Sequence, residues 1–184
     1  QYNTWIELTY NQNQKDILKY ARAIIENGMP PGIIMIDDNW QEDYGKWNFH
    51  KGRFPDPRAM MRELKELGFE VMLWVCPFVS PDSDTYRELE KEGVFMLDSM
   101  EKPAMVRWWN GVSAVLDLTN SKGNKWFKGE LDRLVNQYGV SGFKLDAGDA
   151  RFYKGISSSK KVIPNTHTEL FNKIGLDYPF NEYR

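Results

Sequence analysis

Three apolar runs in this sequence stop on an aspartate: Ile33-Ile34-Met35-Ile36-Asp37, Val115-Leu116-Asp117 and Phe143-Lys144-Leu145-Asp146. In parallel α/β folds the chemistry sits at the carboxyl ends of the strands. The three carboxylates are therefore expected on one rim, although an aspartate in that place also serves to cap the following loop. The last run is the most informative. Side chains alternate along a strand, so Lys144 and Asp146 share one face while Phe143 and Leu145 share the other. The apolar pair suits a helix-packed side, which leaves an ammonium and a carboxylate facing inward. A buried ammonium is costly without a partner. Asp146 is expected to supply the counter-charge and to be kept ionised by it. An ionised carboxylate at such a mouth could attack an anomeric carbon, the task of a retaining-glycosidase nucleophile. A purely structural Lys–Asp pair fits the pattern equally. Gly148 is expected to let the backbone turn sharply beside the site.

The second strand ends in Asp37-Asp38-Asn39-Trp40. Adjacent side chains on a strand point to opposite faces, so Asp37 alone is expected to enter. Two neighbouring carboxylates could also hold a cation, but no histidine accompanies them. The only histidines, His50 and His167, read as surface or loop residues rather than ligands, and no metal or cofactor is expected. Trp74 lies near the end of the third apolar run, and Trp108-Trp109-Asn110-Gly111 precedes the fourth. Indole faces can stack on the C–H faces of sugar rings, or simply fill the mouth of a barrel.

Repeated βα units must position these residues. The strands are read at Trp5–Tyr10, Ile33–Asp37, Glu70–Cys76, Val112–Leu118 and Ser141–Leu145. Ile17, Leu18, Ala21, Ile24 and Ile25 form an apolar stripe on a helix over Gln14–Asn27, closed by Gly28. Asp56-Pro57 is an N-cap followed by proline, and it opens a helix that ends at Gly68. Shorter and longer helices follow near Asp84–Glu92 and Gly123–Tyr138, each stopped by a glycine. Thr166 and Glu169 have capping-box spacing and open a last helix to Ile174. A doubly wound sheet and a (β/α)8 TIM barrel both fit. The first lacks a Gly-rich phosphate turn, and a complete barrel takes about 250 residues. The expected fold is therefore an α/β barrel truncated to its first five βα units. Residues 1–184 would form one partial catalytic domain with exposed sheet edges.

Composition narrows the function classes. The chain is 41% hydrophobic and 27% charged with a net charge of −2, ordinary for a globular domain. Lys and Arg are scattered, which excludes an electrostatic case for nucleic acid. No apolar run reaches membrane-spanning length. Cys76 is the only cysteine, read as a small buried side chain. A start at Gln1 rather than Met is expected of a processed or excised segment.

In order along the chain, Asp37-Asp38-Asn39-Trp40, Phe54-Pro55-Asp56-Pro57-Arg58-Ala59-Met60, Val71-Met72-Leu73-Trp74-Val75-Cys76-Pro77, Trp109-Asn110-Gly111, Leu116-Asp117-Leu118-Thr119-Asn120 and Phe143-Lys144-Leu145-Asp146-Ala147-Gly148-Asp149 resemble the motifs of glycoside hydrolase family 31. The Val106–Gly111 and Lys144–Asp149 stretches are most similar to its myogenesis-regulating glycosidase branch. The resemblance implies Asp146 as the catalytic nucleophile and Asp37 as a ligand of the hydroxyls of the sugar being cleaved. It places Trp74, Trp109 and Lys144 along the same subsite, and makes Asp117 mainly architectural. The family's acid/base is an Asp after strand six, and no residue of this chain carries over to that role.

The expectation is a retaining α-glycoside hydrolase acting on a terminal α-linked sugar, with α-galactosides the first to test. The 184 residues alone are expected to be inactive, with their open edges covered by the remainder of the barrel or a second copy. An extracytoplasmic compartment follows from the resemblance alone. Two other readings stay open: a sugar-binding pseudoenzyme, and a metal-dependent barrel lyase or isomerase using Asp37, Asp117 and Asp146.

Overall fold

A computed structural model describes residues 1–184. In chain order its elements are β1 (Tyr2–Asn3), α1 (Thr4–Leu8), α2 (Gln14–Glu26), β2 (Ile33–Ile36), β3 (Gln41–Asp43), β4 (Lys46–Phe49), α3 (Pro57–Glu66), β5 (Glu70–Val75), β6 (Phe78–Val79), α4 (Asp84–Glu92), β7 (Met105–Trp108), β8 (Gly111–Val115), α5 (Ser121–Tyr138), β9 (Gly142–Leu145), α6 (Pro164–Gly175) and β10 (Phe180–Tyr183). A short 3-10 turn covers Ala150–Tyr153.

Local chemistry sets most helix ends. The side chains of Asn13, Asp56, Ser83 and Asn120 each accept a backbone N–H of the first turn of α2, α3, α4 and α5. Pro57 follows its cap at the first helical position, where its missing N–H costs nothing. Gly93 and Gly139 take the left-handed conformation that ends α4 and α5. Ile17, Leu18, Ala21 and Ile24 bury one face of α2, and each large aliphatic chain so buried contributes about 1.5–3 kcal/mol. They join a single core of 44 buried residues around the main sheet.

That sheet is parallel, ordered β1-β2-β5-β9-β10, and curls into half a barrel of the TIM type with helices packed outside. Its register aligns Met35 with Met72, Met72 with Gly142, and Gly142 with Phe180. Two residues further on, Trp74, Lys144 and Glu182 are level with one another. The same offset puts Asp37, just past the end of β2, beside Trp74. These side chains form one layer on the inner face, and Asp146 stands above it.

Three expectations change here. Trp5–Tyr10 is not a strand: Asn3 accepts the Trp5 N–H and starts helix α1, so only Tyr2 and Asn3 pair with β2. Val112–Leu118 does not enter the parallel sheet. The turn at Trp109-Asn110, with Gly111 at a φ of 105°, folds β8 back antiparallel on β7, and β6 pairs on its other edge. The fifth parallel strand is instead β10, a short, half-polar Phe-Asn-Glu-Tyr segment. The expected capping box of α6 is also absent. Pro164 starts that helix with no side-chain cap.

Candidate active site

The layer described above opens into a pocket of about 420 Å³. It is lined by Trp5, Tyr10, Asp37, Asp38, Trp74, Trp109, Lys144, Asp146, Arg151 and Arg184. All five residues expected at a site from the sequence, Asp146, Asp37, Trp74, Trp109 and Lys144, therefore meet in one cavity. A larger surface depression of about 790 Å³, between the β3–β4 hairpin, α4 and α5, shares no residue with it. Its lining is almost wholly charged and polar, with no carboxylate from the end of a parallel strand. The smaller cavity is therefore the candidate site.

Asp146 is 4% exposed. Its backbone N–H donates to the Val75 carbonyl, extending the β5–β9 ladder by one bond before the chain turns. One carboxylate oxygen accepts the Ala147 N–H at 2.7 Å and the other accepts the Trp74 indole N–H at 2.9 Å. Two N–H donors, one on each oxygen, fix the plane of the carboxyl. Arg184 Nη1 lies 3.7 Å away. The sharp turn falls on Ala147, at a φ of 59°, and not on Gly148. Gly148 is small for a different reason: a Cβ there would stand 2.3 Å from the Phe171 ring on α6.

The partner of Lys144 differs from expectation. Its ammonium contacts Asp37 at 2.9 Å, with Glu182 of β10 at 3.8 Å, so Asp37 rather than Asp146 is the nearest counter-charge. The other Asp37 oxygen accepts the Asp38 N–H at 2.7 Å. Asp38 also enters the pocket, against the alternation argument. The chain leaves strand geometry after Ile36, and Asn39 adopts a left-handed φ of 74°. Asp38 accepts from Gln41, the Asn39 N–H, Tyr44 and Asn110. Burial pushes its carboxyl up to about 6 despite these bonds, with the neighbouring Asp37 charge adding to the rise.

Trp74 is buried and lies parallel to Trp108 at 6.4 Å, whereas Trp109 stays 45% exposed at the pocket edge. The two indoles thus offer one fixed and one accessible face. Asp117 stands apart from this group. Both of its oxygens are taken by backbone N–H and hydroxyl groups of Thr119 and Ser159, so it ties two loops together. The three strand-end aspartates do not converge, which removes the geometry a shared metal would need. No group of three His, Cys, Asp or Glu side chains is placed to hold an ion.

His167 is fully buried on α6, contrary to the surface reading. Its Nε2 accepts the Leu118 N–H, and burial lowers its basicity to about 4. Cys76 is buried as expected, and burial raises its thiol well above the usual range. No helix is long and apolar enough to cross a membrane. Trp5, Tyr10, Arg151 and Tyr44 were not legible as site residues. Helix α1, the Tyr10 loop and the 3-10 turn bring the first three to the pocket, and Tyr44 joins through its bond to Asp38; no local spacing announces it.

Known proteins resemble the chain along most of its length. Residues 2–181 match the model of the glycosyl hydrolases family 31 TIM-barrel domain. Myogenesis-regulating glycosidase of Mus musculus is 38% identical over 152 residues, covering 82% of this chain and 21% of that protein. An α-xylosidase of Lactiplantibacillus pentosus is 24% identical over 185 residues, covering 94% of this chain and 24% of the other. Among solved structures, a family 31 dextranase of Flavobacterium johnsoniae complexed with glucose superposes with a TM-score of 0.84 at 21% identity. That match covers 94% of this chain and 24% of the dextranase, so the chain spans about a quarter or less of the proteins it matches. A TIM-type half-barrel, a carboxylate-and-indole pocket at its strand ends and a family match over 2–181 lead to one assignment: the chain belongs to glycosyl hydrolase family 31 and contributes to its TIM-barrel domain.

Proposed function

We propose that this chain carries the nucleophile side of a retaining α-glycosidase site, with Asp146 as the nucleophile. One observation carries the reading. Asp146 sits at the carboxyl end of a barrel strand, its carboxylate oriented by the Trp74 indole and facing a pocket shared with Asp37, Lys144 and Trp109.

In the first step an Asp146 oxygen bonds to the anomeric carbon as the glycosidic bond breaks. The departing oxygen takes a proton from a second carboxylic acid, which retaining enzymes hold about 5–5.5 Å from the nucleophile. That acid/base is supplied from outside these 184 residues. In the second step a water, losing its proton to the same group, attacks the anomeric carbon and frees the Asp146 carboxylate. Two inversions leave the α configuration unchanged. Asp37 and the Lys144 ammonium bind ring hydroxyls, the first accepting and the second donating. Trp74 and Trp109 offer flat apolar faces to the C–H side of the ring.

The substrate is a terminal α-linked sugar, and α-galactosides are the first class to test, ahead of α-glucosides and α-xylosides. The edges at β1 and β10 are covered by further barrel strands or a second copy, and the isolated 184-residue chain hydrolyses no ordinary glycoside. The decisive experiment treats the full-length protein with an activated fluoro-glycoside and maps the labelled peptide. Label on Asp146 is expected. Label on any other residue overturns the assignment, and sugar binding without label points to a site that binds and does not turn over.

A further inference from the structure

One wall of the pocket is the β7–β8 hairpin, and its attachment to the barrel rim is unusually concentrated. Trp108 pairs with Gly111, so Trp109 and Asn110 make up the two-residue turn. Trp109 faces the pocket with its ring against Trp108 at 5.1 Å and Phe152 at 6.0 Å. The side-chain hydrogen bonds from the turn to the rim all run through Asn110. Its Nδ2 donates to Asp38 at 2.6 Å and to the Tyr44 hydroxyl at 2.7 Å. Its Oδ1 accepts the Tyr10 hydroxyl at 2.8 Å.

Both ends of the amide are thus committed, and its orientation is forced. A reversed amide would set its oxygen against the Asp38 carboxylate. The partners are themselves anchored. The Asn39 amide donates to the Tyr10 carbonyl at 2.6 Å, and Arg53 donates to the Asn39 carbonyl at 2.7 Å. The result is a closed ring of hydrogen bonds linking the end of β2, the Tyr10 loop and the hairpin turn. Neither Asp, which lacks the donor, nor Leu, which lacks both polar ends, can complete it.

We propose that Asn110 is a positioning residue that acts through Trp109: it clamps the hairpin turn to Asp38, Tyr44 and Tyr10 so that the Trp109 indole is held over the sugar pocket. This rests on the reading of the pocket as a sugar site. The clamp works before the substrate arrives, so the ordering cost of the turn is already met and Trp109 binds ground state and transition state alike. Loss of such uniform binding raises KM and leaves kcat nearly unchanged.

The test compares Trp109→Ala, Asn110→Ala and the double variant in the full-length protein on an aryl α-glycoside. Each single variant is expected to raise KM about tenfold with kcat within about twofold, the signature of lost uniform binding. If Asn110 acts through Trp109, the double variant has the KM of Trp109→Ala alone; a purely structural role would multiply the two factors. A second readout needs no turnover. With 5-fluorotryptophan incorporated, the Trp109 resonance is identified by its loss in Trp109→Phe. It is expected to shift or broaden in Asn110→Ala and in Asn110→Asp. It should return in Asp38→Asn/Asn110→Asp, which swaps donor and acceptor across the 2.6 Å contact. A fluorine resonance unchanged in Asn110→Ala, or KM factors that multiply, overturns the clamp. An unchanged KM in Trp109→Ala instead overturns the sugar-platform reading beneath it.

Discussion

Replacing Lys144 by Met keeps most of the unbranched stem and removes the charge with its N–H donors, which tests what the ammonium does for the inner layer. The Lys144 and Asp37 side chains are 7% and 4% exposed and meet at 2.9 Å. At that distance and an effective dielectric of 20, their attraction is about 6 kcal/mol. Part of this is offset by desolvating the ammonium, a cost that Met does not incur. What remains is a buried Asp37 without its cation, and a second carboxylate, Glu182, that also faced the ammonium. Removing one member of a buried pair costs about 3–5 kcal/mol, and we expect Lys144→Met to fall in that range. Asp37→Asn/Lys144→Met should be more stable than the sum of the single losses by about 2 kcal/mol, because no charge is left stranded. Native-state hydrogen exchange of the β5 and β9 amides in the full-length protein reads this opening locally, even where unfolding is not two-state. A loss below about 1 kcal/mol, or strict additivity in the double variant, would refute the argument that this pair holds the layer together.

Two buried groups should oppose each other as the pH changes. His167 has its basicity lowered from 6.5 to about 4, so between those values the unfolded chain takes a proton that the folded one refuses, and stability falls as pH drops. Asp38 is raised from 3.8 to about 6, so over nearly the same window the folded state holds the extra proton and stability grows as pH drops. Each window spans more than two pH units and is worth up to about 3 kcal/mol, so the two contributions nearly cancel. In urea unfolding from pH 4 to 6.5, His167→Gln should expose the Asp38 slope; a curve parallel to wild type would contradict this. Gly142→Ala places a Cβ 1.6 Å from the Phe180 carbonyl oxygen. It should strip β10 from β9, seen as fast amide exchange over residues 180–183 while β2 and β5 stay protected. Full protection of β10 in that variant would show that the two strands can separate enough to admit a methyl.

Helix ends and the inner strands were legible because their causes are local. Asp56-Pro57 and Gly93 state their roles within a few residues, and the caps sit where those residues stand. The buried residues of β2 and β5 are apolar on both faces, as strands covered by helices must be, and β9 departs from that pattern at Lys144 alone. Several readings failed where pairing outside the segment decided, while Trp5–Tyr10 failed because the Asn3 cap just before it starts a helix. Val112–Leu118 has strand-forming residues, but a hairpin turn directs it to β7, and nothing inside the segment records that choice. Phe180–Tyr183 looks like a loop until β9 supplies its hydrogen bonds. Trp5, Tyr10 and Arg151 reach the pocket from helix α1, the loop after it and the distant 3-10 turn, so spacing along the chain carries no trace of them.

The misassigned partner of Lys144 shows what a strand pattern leaves out. Alternation places Lys144 and Asp146 on one face, and the structure agrees, yet residues two apart on a strand are separated by roughly 6.7 Å along its axis and do not reach toward each other. Asp37 is farther in the sheet, with β5 between it and Lys144, a separation of roughly 9–10 Å between strand axes were the sheet flat. Curl reverses the comparison. On the inside of a half-barrel the side chains of one layer lean together, and Lys144 spans the gap above Trp74 to reach Asp37 at 2.9 Å. The same curl leaves Asp146 to other partners: the Trp74 indole N–H at 2.9 Å, the Ala147 N–H at 2.7 Å and the Arg184 guanidinium 3.7 Å away. The two carboxylates therefore differ in their surroundings: Asp37 meets a buried ammonium at hydrogen-bond distance, whereas Asp146 is oriented by two N–H donors with a guanidinium at the pocket edge.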